Sequence, residues 1–143
     1  MERTIVPDVI SPQKLATLGP RDSVAAAVKL MTGRAIGALM VTERGRLVGI
    51  FTERDAMTRV LAKGKNPKDL TLADVMTPGP DTIRPDTPVH EALDLMSRYG
   101  YRHLPVVDGD RLIGIVSIRD LYRAVKDQLE GDILSLAEAL IQG

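Results

Sequence analysis

Apolar residues return at helical spacing in two separated places, first at Val24, Ala27, Val28 and Met31, then at Val89, Ala92, Leu93 and Met96. The spacing predicts one helix in each place, with a single buried stripe. Asp22-Ser23 and Asp86-Thr87-Pro88 precede them as N-terminal caps. Two short apolar runs follow each helix: Ala38 to Val41 and Leu47 to Phe51, then Leu104 to Val107 and Leu112 to Val116. The turn residues between the runs, Glu43-Arg44-Gly45 and Asp108-Gly109-Asp110, predict hairpins. A second helix is expected after each hairpin, with Met57, Val60 and Leu61 facing inward in the first and Leu121, Val125 and Leu129 in the second. Lys63-Gly64-Lys65-Asn66-Pro67-Lys68-Asp69 is polar and broken by Gly and Pro, so it reads as a linker. Ile133 to Ile141 carries a wide apolar stripe, which suggests a capping helix or an oligomer contact.

The two series are copies of one unit. Shifted by 65 residues, Gly45-Arg46-Leu47-Val48-Gly49-Ile50-Phe51-Thr52-Glu53-Arg54-Asp55 lies over Asp110-Arg111-Leu112-Ile113-Gly114-Ile115-Val116-Ser117-Ile118-Arg119-Asp120. The offset holds from Thr17/Thr82 to Val60/Val125, with about fifteen identities in some forty-four pairs. A one-residue change of register then matches Val9-Ile10-Ser11-Pro12 with Val75-Met76-Thr77-Pro78. The chain divides into a first repeat with its N-terminal segment (1–62), a linker (63–70), a second repeat (71–130) and a C-terminal helix (131–143).

Composition narrows the chemistry. With no Cys, disulfides, thiolate metal sites and cysteine nucleophiles are excluded. Lys plus Arg equals Asp plus Glu, so no global field attracts nucleic acid or an anionic membrane. Three Tyr, one Phe and no Trp leave few platforms for stacking bases. The longest unbroken apolar run, Val24 to Val28, is far shorter than a membrane span, and the expectation is a soluble cytoplasmic protein without a membrane partner.

Thr52-Glu53-Arg54-Asp55 and Ser117-Ile118-Arg119-Asp120 fall where strand gives way to helix. A hydroxyl at the N-cap with a carboxylate three residues on resembles a capping box, and starting a helix is one reading of both segments. Two features favour a ligand. Gly49 and Gly114 lie inside the preceding strands, where Gly often marks close approach of a ligand or another backbone. Arg54 and Arg119 oppose the helix dipole in the first turn, which suits an anion bound at the helix N-terminus.

Two β-α-β-β-α units, each ending in Gly-hydrophobic-x-Thr/Ser-x-x-Asp, resemble a tandem pair of cystathionine-β-synthase (CBS) domains, the Bateman module, over residues from about 9 to 127. The resemblance implies an α/β (α+β) fold of two repeats in one pseudo-symmetric module. It also implies a non-catalytic regulatory role, with AMP, ATP, NAD or S-adenosylmethionine bound in clefts between the repeats and no cofactor required. Asp55 and Asp120 would hold the ribose diol, and Thr52 and Ser117 would contact ribose or phosphate. Arg102 and His103 would face phosphate oxygens, while Thr82-Ile83 and Thr17-Leu18 match the strand that clamps adenine. Gly37, Ala38 and Met40 stand in the first repeat where the second has Arg102, His103 and Pro105, so unequal occupancy of the clefts is expected.

Other groups read as structural. Tyr99 and Tyr101 suit core or rim packing, and His90 with Asp94 makes at most two ligands of a metal site. No nucleophile with an activating base emerges. The resemblance implies a disc-like homodimer of four repeats, with exposed helical faces borne in part by Met31, Met57, Met96 and Leu121, and an unidentified regulated protein as partner. The competing readings are a dimerisation module with empty clefts and, disfavoured by zero net charge, a nucleic-acid binder.

Overall fold

The computed structural model describes residues 2–11 and 13–142. Pro12 of the Val9–Pro12 match, and the outermost residues of the segments 1–62 and 131–143, lie outside the described residues.

The first helix and the hairpin that the pattern predicts form in both repeats. In the first, strand β1 (Thr17–Leu18) leads to helix α1 (Val24–Arg34), then strands β2 (Ala38–Glu43) and β3 (Arg46–Thr52) and a short helix α2 (Glu53–Asp55) that continues as a π-type segment, Ala56–Leu61. Past the linker, α3 (Leu72–Val75) and β4 (Thr77–Pro78) precede helix α4 (Val89–Tyr99), strands β5 (His103–Asp108) and β6 (Arg111–Ser117), and helix α5 (Ile118–Gln142). The hairpins share one register, with Met40 opposite Ile50 and Pro105 opposite Ile115, and each is bulged one residue later. Arg44 and Gly45 both take positive φ in the first turn, which matches the twist of the strands they join.

The sheet order is β1-β2-β3-β4 in the first repeat and β5-β6 in the second, where the leading strand is reduced to a single parallel bridge, Ile83 to Val106. The fourth strand reveals how the repeats interlock. β4, which leads into the second repeat, pairs antiparallel with β3 of the first, Gly49 opposite Pro78. The reciprocal crossing places Gln13 beside β6, where its amide accepts from Ile115 N–H and donates to Ile115 O at 3.0 and 3.3 Å. A side chain at Gly49 would meet Met76 and the Thr77 carbonyl, and one at Gly114 would meet Gln13 and Ile10. Both glycines therefore admit a crossing chain segment rather than a ligand.

Packing follows this exchange, not the sequence boundaries. Leu72 and Val75 complete the core around Val24, Met31 and Phe51 of the first repeat. Ile5 and Ile10, assigned by sequence with the first repeat, are buried in the second around Met96, Leu104 and Leu121. Backbone bonds mirror one another: Val24 N–H donates to Leu70 O, and Val89 N–H to Arg3 O.

Several local expectations are corrected. Ser23 caps α1, but the Thr87 hydroxyl accepts from Arg84 N–H instead of capping α4. Of Met57, Val60 and Leu61, only Val60 is buried, because the π-type segment turns Val60 toward the core and carries Met57 and Leu61, one turn apart, on its outer side. Leu129 is exposed because α5 runs on past the edge of the repeat after Leu121, Ala124 and Val125. The C-terminal stripe is the far end of that same unbroken helix. Met31, Met96 and Leu121 lie in the chain's own core, which leaves Met57 as the one of the four expected dimer residues that faces outward.

Candidate ligand-binding clefts

The strand-to-helix segments are capped at both ends of the pseudo-symmetry. Thr52 Oγ1 accepts from Asp55 N–H at 3.2 Å, and Asp55 Oδ2 accepts from Thr52 N–H at 2.9 Å. Ser117 and Asp120 form the same reciprocal pair at 3.1 and 2.9 Å. The helix-starting reading is therefore realised in both, and a ligand role must use what remains. There the two carboxylates differ. Asp55 is buried, and its Oδ1 lies 3.6 Å from Arg59 Nε. Asp120 is half-buried, and among the described residues its Oδ1 has no hydrogen-bond or ion-pair partner. The difference has a sequence origin, since Ala124 occupies the position in the second repeat that Arg59 holds in the first.

Each capped segment borders a cavity between the repeats. Ser117, Arg119 and Asp120 line one of about 830 Å³, whose opposite wall is Gln13–Ala16 and Arg34–Ala38 of the first repeat. Thr52, Arg54 and Asp55 line another of about 610 Å³, closed by Thr77, Gly79–Asp81 and Tyr99–Pro105 of the second. Both volumes fall in the ~300–1,000 Å³ range of small-molecule sites. Arg102 and His103 were expected at one phosphate position; they line both cavities, together with Gly37 and Glu53.

The four expected adenine-clamp residues line neither cavity. Thr17 and Leu18 pair with Met40 and Val41, Ile83 is buried with its backbone bonded to Pro105 and Val107, and Thr82 is exposed. The residues just upstream, Lys14–Ala16 and Gly79–Asp81, take that wall instead.

The cavities differ in charge. Lys14, Arg34, Arg102, Arg119 and Arg123 converge on the larger one, against Glu53 and Asp120. Among the described residues none of those five cations lies within ion-pair distance of a carboxylate. The smaller has Arg54 and Arg102 against Glu53, Asp55 and Asp81. There the Tyr101 hydroxyl donates to Asp81 at 2.6 Å, which raises the phenol's pKa, and Tyr99 stacks on Tyr101 at 5.5 Å. His103 sits between the cavities with its pKa lowered, chiefly by burial; Glu53 and Asp120 pull it up, and Arg102 adds to the lowering. Lys14, Arg34 and Arg123 escaped the sequence reading because they come from three distant segments outside the repeated motif.

Residues 6–62 and 72–127 each match the sequence model of the CBS domain. The chain belongs to the CBS domain family. It carries two such domains in tandem, in the mixed α/β fold that its solved neighbours share. The CBS domain-containing protein CBSX3, mitochondrial, of Arabidopsis thaliana is 39% identical over 127 residues, covering 85% of this chain and 61% of the relative. The chain thus spans about three fifths of that relative's length. The CBS domain pair of protein MJ0100, in complex with 5′-methylthioadenosine and S-adenosyl-L-methionine, is 30% identical with a TM-score of 0.79, over 90% of this chain and 99% of that one. The CBS domain protein PAE2072 from Pyrobaculum aerophilum, complexed with AMP, is 25% identical with a TM-score of 0.72, over 79% and 86%.

Among the described residues, this CBS pair has no group of three or more His, Asp or Glu placed to hold a metal, and His90 contacts Glu2. No helix among them is long and apolar enough to cross a membrane.

Proposed function

We propose that this CBS pair works as a cytoplasmic, non-catalytic regulatory module whose larger cavity binds an adenosine ligand bearing phosphate, of the AMP or ATP class. The observation that carries the reading is the convergence of five cations without carboxylate partners on the cavity that also holds the free Oδ1 of Asp120. Phosphate satisfies the cations, and a carboxylate oxygen accepts from the ribose hydroxyls. AMP in PAE2072 supports the ligand class. The smaller cavity, with no excess of cations, suits an adenosine ligand without phosphate, a class to which the 5′-methylthioadenosine and S-adenosyl-L-methionine of MJ0100 belong. Two chains associate as a homodimer, which passes ligand state to a regulated protein.

The test is calorimetric titration of the full chain with AMP and with adenosine. Charge-assisted hydrogen bonds contribute about 1.5–3 kcal/mol each, so AMP should bind once per chain and at least about tenfold tighter than adenosine. Equal affinity for the two, or no heat from either, overturns the reading. A second reading, a purely structural module, draws on the completed capping boxes, and absent heat would favour it.

A further inference from the structure

We infer that the C-terminal half of α5 docks on a second copy of this chain, against the face that carries Met57 and Leu61. This rests on the pairing of two chains proposed above, not on ligand binding. Leu129, Ile133, Leu136 and Leu140 recur at intervals of four, three and four, and are 56%, 65%, 64% and 76% exposed. Beyond Lys126 the helix has no Lys or Arg, but Asp127, Glu130, Asp132 and Glu138. Acids in that half oppose the helix dipole, so the segment gains nothing from them alone. A helical stretch this short is also marginal in water without packing.

Its complement lies elsewhere on the molecule. Met57 and Leu61 are one turn apart, 58% and 68% exposed, and the exposed Lys63, Lys65 and Lys68 follow them. An apolar seam flanked by acids thus matches an apolar face flanked by lysines. An unbroken helix cannot turn back onto its own chain, so the match is made in a second copy. A two-fold axis pairs both tails with both faces and leaves neither open.

The surface area agrees. A compact monomer of 15.6 kDa exposes about 7,200 Å². This chain exposes 9244 Å². The surplus exceeds the ~800 Å² that each partner buries in a stable interface.

Sedimentation of the full chain across a dilution series reads the dimer's dissociation. Leu136→Asn and Leu61→Asn should each raise the dissociation concentration at least about tenfold, with the thermal midpoint of the dissociated chain unchanged. Lys63→Glu with Lys65→Glu should weaken the dimer, as should Glu130→Lys with Asp132→Lys, and the four together should restore it. A monomeric wild-type chain overturns the pairing itself. A dimer that Leu136→Asn leaves untouched overturns this interface alone. So does a dimer that tightens on reversal of the tail acids, the result expected if α5 packed on α5.

Discussion

Asp55 and Asp120 occupy matching positions and cap matching helices, yet one carboxylate is fully engaged and the other keeps an oxygen free. The pattern alone does not make a site. Thr71 and Asp74 repeat it on α3, with Thr71 N–H donating to Asp74 Oδ2 at 2.9 Å and lowering that acid's pKa, and neither residue borders either of the two cavities between the repeats. Position between the repeats distinguishes the other two, and a sequence motif does not record position. If Asp120 accepts from the ribose hydroxyls, 2′-deoxy-AMP should bind more weakly than AMP by about tenfold, measured by competition. His103 gives a second test. Burial holds its pKa below the ordinary 6.5, so the folded chain favours neutral imidazole and loses stability as pH falls through 6.5 toward the folded value. Phosphate in the larger cavity would add an anion to Glu53 and Asp120 beside the ring and favour the imidazolium. Proton resonances of His103 followed against pH should show its pKa rising when AMP is added; an unchanged titration would remove His103 from the phosphate position.

At the scale of elements, the hairpins and both stripe-bearing helices were legible because alternation, helical spacing and turn residues are local signals. The crossing segments were not, since β4 on β3 and Gln13 on β6 depend on contacts between distant parts of the chain. Gly49 and Gly114 carried the only trace of them. Gly49→Ala should destabilise the fold by about 1–3 kcal/mol, because the Thr77 carbonyl 3.1 Å from the new methyl is backbone and cannot swing aside. Gly114→Ala should cost less, since its neighbours are side-chain ends of Gln13 and Ile10. Thermal midpoints of the two variants rank them. At the C-cap of α1, Ala35 sits at φ 53° where Gly100 serves α4. Ala35→Gly should therefore stabilise the chain, by roughly 1 kcal/mol in chemical denaturation.

Across the whole molecule, the internal repeat announced pseudo-symmetry, and the structure shows where that symmetry is broken. The repeats exchange their leading segments, so the two clefts form together or not at all; neither repeat has a complete core alone. Arg102 and His103 sit in the wall the cavities share, Arg54 and Arg119 match one another, and the asymmetry instead arises from Lys14, Arg34 and Arg123 on one side against Asp81 on the other. No local pattern links those three cations, which come from three distant segments, and so the charge difference could not be read from the chain. With phosphate held in the larger cavity, AMP titration of Asp55→Ala beside Asp120→Ala separates the two clefts. Loss of a cap costs each variant about 0.5–2 kcal/mol of stability, so both should melt earlier than the unmodified chain. Only Asp120→Ala should lose AMP affinity, by well over tenfold on the ~1.5–3 kcal/mol scale of a charge-assisted bond, while Asp55→Ala binds as before. AMP binding that survives in Asp120→Ala and fails in Asp55→Ala would move the phosphate-bearing site to the smaller cavity.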